Sequence, residues 1–128
     1  MLYSVAEGLC FELRRRYDAC ENAFDREFPS IRAVGAYSHY ATLMRMKAVI
    51  VGSKIETIPH TDAIPYGAAL IGALGAGILR EADLQDVYRF NAEYLPEFRA
   101  MRDYAPRYQR YLYYHRRLLS LYSSAENS

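Results

Sequence analysis

From Leu2 to Phe28 the apolar side chains recur at three- and four-residue steps, through Val5, Leu9, Leu13, Tyr17, Cys20 and Phe24. That spacing follows the turn of an α-helix and gives it one apolar face, so a chain like this must fold by packing such faces together. "RRR" at 14–16 lies largely off the stripe, between Glu12 and Asp18, and reads as a solvated face with local ion pairs. Pro29 ends the helix, because it has no N–H to donate and restricts the residue before it.

The same period returns further on. In "SIRAVGAY", Ser30 reads as the N-cap of a short helical turn. Tyr37, Ala41, Met44, Ala48 and Val51 predict a helix over 37–51, stopped by Gly52. "SKIETIPHTDAIP" is the longest loop-like stretch, and its His60 reads as solvated. "YGAALIGALGAGIL", residues 66–79, sits in a run of 17 uncharged residues from Ala63 to Leu79, at the short end of what spans a bilayer. Small residues repeat every four positions there (Ala69, Ala73, Gly77; Ala68, Gly72, Ala76), which suits close approach by another helix. The expectation is a buried central helix, with membrane contact the lesser alternative. A further helix is expected over 81–95, with Leu84, Val87, Tyr88, Asn91 and Leu95 on one face. Pro106 then breaks or kinks the chain before a last helix over 106–122, and 123–128 is a polar tail. No segment reads as a strand. The predicted fold is all-α: a compact single-domain bundle of five to six helices over 1–122, which suits a chain of 128 residues.

Several function classes are excluded by what is missing. There is no phosphate-binding glycine loop, no dinucleotide fingerprint, no HExxH and no nucleophile elbow, so no cofactor is expected. His39, His60 and His115 are far apart and lack metal-ligand spacing, so no metal is expected either. Cys10 and Cys20 lie on one predicted helix, separated by about 15 Å at 1.5 Å per residue, beyond disulfide reach. Free thiols, and an N-terminal stretch without a basic segment and long apolar run, point to the cytoplasm. A net charge of +1 excludes a polycation.

Charge is nonetheless uneven. Residues 81–97 carry five acids against Arg89, a net of −4, while 99–117 carry six arginines against Asp103, a net of +5. The simplest account is that these segments are neighbours and attract; the alternative is that the basic helix faces an acidic partner. "PRYQRYLYYHRRLLSLY", residues 106–122, divides into two faces. Tyr104, Tyr108, Tyr111, His115, Leu118 and Tyr122 form an aromatic face that reads as core or interface. Arg107, Arg110, Tyr114 and Arg117 form another. Arg and Tyr are favoured in protein interfaces, and also bind phosphates and stack on bases. The leading expectation is a small non-enzymatic interaction protein, a regulator, inhibitor or adaptor. It would dock an acidic protein surface through Arg107, Arg110, Tyr111, Tyr114 and Arg117. Nucleic acid is the second partner considered, and a homodimer through the tyrosine face is compatible with either.

"RYLYYH", Arg110 to His115, has the form R-x4-H and resembles the short signature of HEPN-type helical ribonucleases. The resemblance implies a metal-independent RNA-cleaving site, with His115 moving the proton of the 2′-hydroxyl and Arg110 holding the phosphate. At 100° per residue the two side chains lie about 140° apart around one helix, so they would meet only at the edge of a groove or across a dimer.

Overall fold

A computed structural model describes residues 2–59, 62–87 and 91–125. His60 and Tyr88 of the expectations above lie outside the described residues. The elements in order are α1 (Leu2–Phe24), β1 (Ile31–Ala33), a 3-10 turn (Ala36–His39), α2 (Ala41–Val51), β2 (Ile55–Thr57) and α3 (Ala63–Gly75). A second 3-10 turn (Glu81–Asp83), α4 (Leu84–Val87), β3 (Ala92–Tyr94) and α5 (Phe98–Ala125) complete it.

The expected all-α bundle is corrected by a mixed sheet. β1 pairs parallel to β2, with Ile31 opposite Ile55 and Ala33 opposite Thr57, and β2 pairs antiparallel to β3. β1 stands where a helical turn was expected, β2 inside the expected loop, and β3 inside the expected helix over 81–95. Ser30 is no N-cap: its hydroxyl donates to Glu56 Oε2 at 3.0 Å. Glu56 is buried on β2, and Lys54 and Arg32 flank its carboxylate. Those contacts, Lys54 first, hold the carboxyl below its ordinary range and let a charge sit in the sheet.

α2 is the centre of the molecule. Met44 and Ala48 pack with Ile55 of the sheet, joined by Ile31, Ala33 and Tyr94. Met46 and Ile50 pack on the other side with Cys10 and Phe11 of α1 and Tyr108 of α5. A helix covered on both sides must be apolar nearly all round, which α2 is. It ends at Gly52 (φ 80°), whose N–H donates to the Ala48 carbonyl at 2.9 Å, as expected of a left-handed cap.

α1 turns a different face inward than its periodicity suggested. Cys10 and Phe11 are buried, while Val5, Leu9, Cys20 and Phe24 are exposed. Arg14 is not a solvated residue: it donates to the Ile50 carbonyl at 3.0 Å and lies 4.4 Å over the Tyr108 ring. Arg15 and Arg16 form the expected local ion pairs, both with Glu12. α3 contains no buried residue, contrary to the expected buried central helix; Ile64 and Ile71 are open to solvent. No helix among the described residues is long and apolar enough to cross a membrane. α5 runs through Pro106 without ending there.

The two thiols differ sharply. Burial pushes Cys10 up to about 11, and Cys20 is exposed. Only the thiolate reacts, so one thiol per native chain should be alkylated at pH 8 and both in denaturant. Mass analysis of the labelled chain checks this; rapid labelling of native Cys10 would mean that α1 opens away from α2.

Candidate functional site

The parallel strands set the first site. Their register brings the chain out at one edge of the sheet, at Val34 after β1 and Ile58 after β2. In open α/β sheets, ligands bind beyond the carboxyl ends of such strands. Gly35 follows β1 with φ 92°, a conformation that side chains with a β-carbon rarely adopt. Its carbonyl takes the Ser38 N–H at 3.0 Å and the Ser38 hydroxyl at 2.7 Å, closing the 3-10 turn. The first N–H groups of such a turn have no partner within it. A β-carbon built on Gly35 would meet nothing within 4 Å, so the backbone there is open to a ligand. Tyr37 lies within the turn and Tyr40 follows it, both exposed, with ring centres 6.2 Å apart. After β2 the chain reaches Asp62 and enters α3, and the Asp62 side chain does not cap it. Pro65 has no N–H and the Tyr66 N–H is bonded to the Asp62 carbonyl, so the leading N–H groups of α3 left unmatched by a cap are those of Ala63 and Ile64.

Gly35 does not stand out in the sequence. Its only signal was a glycine among apolar residues in "RAVGAY", which without the strand before it looks like any helical turn.

The arginine–tyrosine helix forms a second region, built against α1. Arg107 bonds Glu7 at 2.8 Å. The Tyr111 hydroxyl donates to Glu12 at 2.8 Å, and its ring packs on Phe11 and Tyr108. Tyr108 is buried and donates to Asp18 at 2.8 Å. Arg107, Arg110, Tyr111 and Tyr114 line one cleft of about 500 Å³ with Ser4, Glu7, Gly8 and Phe11. Arg117 stands apart, 4.8 Å over the Tyr113 ring. His115 packs beside Tyr111 at 5.8 Å between ring centres and does not line that cleft. The aromatic face is thus packing, as its spacing suggested, although Leu118 is exposed and the Tyr122 side chain lies outside the described residues. The ion pair of α5 runs to α1, while Asp83 pairs with Arg80 and Glu93 with Lys54, so the expected attraction between 81–97 and 99–117 is not what the described side chains show. Among the described residues no group of His, Cys, Asp and Glu could hold a metal ion.

Glu12 gathers the strongest electrostatics. Arg15 donates to both its oxygens at 2.7 and 2.8 Å, and Tyr111 and Arg16 add one bond each. Arg15 first, then Tyr111, hold the carboxyl far below its ordinary range. A depressed carboxyl stabilises the fold above its unfolded value, about 4.3, and that stabilisation fades as pH falls through the folded one. The melting temperature should therefore fall more steeply below pH 4.5 in the wild type than in Glu12→Gln. Parallel curves would deny Glu12 this role.

Comparison with known proteins assigns the fold. Residues 1–76 match the model of the FGGY family of carbohydrate kinases, C-terminal domain. The chain is 26% identical over 98 residues to a glycerol kinase from Lactobacillus acidophilus and 24% identical to one from Lactobacillus delbrueckii subsp. bulgaricus. Each match takes in 76% of this chain and 20% of the relative. Among solved structures it resembles a xylulose kinase from Lactobacillus acidophilus (TM-score 0.77) and a gluconate kinase from the same species (0.76), each at 20% identity. Both matches cover 94% of this chain and 24% of the other. The chain thus spans about a fifth of the length of the relatives it matches. These matches are to enzymes with an α/β fold. They overturn the reading as a non-enzymatic regulator, inhibitor or adaptor, and with it the ribonuclease alternative at Arg110 and His115.

Proposed function

We infer the function from one premise: the chain belongs to the FGGY family of carbohydrate kinases, with residues 1–76 in that family's C-terminal domain. We propose that it supplies a nucleotide-binding surface for phosphoryl transfer from ATP to a hydroxyl of a small polyol or sugar. The names of its relatives and structural neighbours, which are kinases of glycerol, xylulose and gluconate, support that acceptor class. A reaction that consumes ATP suits the cytoplasm.

The observation that carries the reading is the Gly35 turn at the carboxyl end of the parallel pair. Backbone N–H groups in a glycine turn and at a helix start favour phosphate oxygens, because they carry unmatched partial positive charge. The turn of Ala36–His39, which follows β1, offers such groups, and so do Ala63 and Ile64 at the start of α3, the next helix after β2. Tyr37 and Tyr40 provide exposed rings, tilted 36° to each other, and a purine ring can lie on the face of one of them. Transfer itself is then a matter of positioning, since phosphoryl chemistry asks for orientation and charge stabilisation more than for covalent help.

Titration with a fluorescent ATP analogue tests this. ATP should displace the probe, and adenosine should do so much less well, because the phosphates make the backbone contacts. Absence of binding at millimolar concentration, or equal competition by adenosine, would oppose the reading.

A further inference from the structure

α1 and α5 face each other with matched spacing. Ser4, Gly8 and Phe11 step along α1, and Arg107, Tyr111 and Tyr114 along α5. Where α1 offers Phe11 the faces close, its ring meeting Tyr104, Tyr108 and Tyr111 at centroid distances of 6.3, 5.8 and 5.6 Å. Where it offers Ser4 and Gly8 they stay apart, and a β-carbon added at Gly8 would meet nothing within 4 Å. The cleft is the volume that these two small residues leave.

Its charges are uneven. Glu7 and Arg107 neutralise each other across the gap. Arg110, one turn further, is exposed, lines the same cleft and joins no ion pair among the described residues. Arg14, Arg15, Arg16 and Arg117 of the same two helices do not line it and are engaged with carboxylates or rings. The cleft therefore carries a net positive charge, at one open guanidinium. Beside it Tyr114 presents a ring that is 57% exposed. The Tyr111 hydroxyl is tied to Glu12, which leaves that ring's orientation fixed.

A planar guanidinium takes two phosphate oxygens through parallel N–H···O bonds. A tyrosine face takes the apolar side of a ring. We propose that this cleft is a second ligand site, which binds a phosphate monoester whose organic part is a ring, with Arg110 on the phosphate and Tyr114 on the ring. It is lined by α1 and α5, shares no residue with the Gly35 turn, and stands or falls independently of nucleotide binding.

A nitrogen-15 NMR titration of the full chain tests it, with glucose 6-phosphate, phenyl phosphate, inorganic phosphate and glucose as probes. Both esters should shift the amides of residues 4–11 and 107–114 saturably, inorganic phosphate should bind more weakly, and glucose should not bind. The stronger ester tells a sugar ring from an aromatic one. Arg110→Gln should weaken ester binding about tenfold or more. Gly8→Leu should fill the cleft and abolish binding; leucine favours helix more than glycine, so the melting temperature should hold. Arg116→Gln, outside the cleft, should change nothing. Unmoved cleft amides at ten-millimolar-scale ester, wild-type affinity in Arg110→Gln, or esters binding no tighter than inorganic phosphate would each overturn the proposal.

Discussion

Tyr108→Ala should destabilise the chain by about 3–5 kcal/mol, the range for removing a large buried aromatic side chain. Tyr108 is 4% exposed and holds α5 to the rest of the molecule by three kinds of contact. Its ring packs on Phe11 at 5.8 Å and stacks with Tyr111 at 6.4 Å. The Arg14 guanidinium lies over it at 4.4 Å, and its hydroxyl donates to Asp18 at 2.8 Å. Removing the ring opens a cavity among Cys10, Phe11, Met46 and Ile50, and strips Arg14 of its cover. Tyr108→Phe keeps the packing and loses the hydrogen bond alone, so its cost should be nearer 1 kcal/mol. Thermal unfolding of the two variants separates these terms. Equal melting temperatures for Tyr108→Ala and wild type would mean that α5 is not docked on α1.

Gly35→Val should reduce ATP affinity by about tenfold or more, through loss of backbone N–H contacts to phosphate. At φ 92° a β-branched residue is strained by an amount on the order of 1–2 kcal/mol, so the turn relaxes to negative φ. That rotation re-aims the peptide N–H groups that begin the 3-10 turn and moves the carbonyl that Ser38 uses. The core should survive, since the β-carbon itself meets no neighbour. Gly35→Ala should behave in the same direction with a smaller effect, and helix content should match wild type in both. An unchanged affinity in Gly35→Val would remove the turn from the site.

The helices were legible because they are long and periodic. α1, α2 and α5 repeat their apolar steps over three turns or more, and Gly52 ends α2 where a left-handed cap was expected. Which face turns inward was less legible. In α1 the stripe through Val5 and Leu9 is as apolar as the flank bearing Cys10 and Phe11, and only the position of α2 and α5 decides between them. The strands escaped because each has three residues, too few for an alternating pattern. β2 was doubly hidden: Glu56 and Thr57 look like loop residues, and they are buried only because Lys54, Ser30 and the Ala92 carbonyl satisfy them. Without β1 and β2 there is no sheet edge, and without the edge Gly35 has no meaning. The arginine and tyrosine positions of α5 drew attention by composition, which does not show that Arg107 and Tyr111 are held by Glu7 and Glu12 of a helix a hundred residues earlier.

The most direct test of the central claim is an amide map of ATP binding on the nitrogen-15-labelled chain. Shifts concentrated at residues 34–40 and in the first turn of α3, and lost in Gly35→Val, are what a nucleotide surface at the carboxyl edge of β1 and β2 predicts. Saturable shifts confined to other surfaces, with residues 34–40 unmoved, would contradict it.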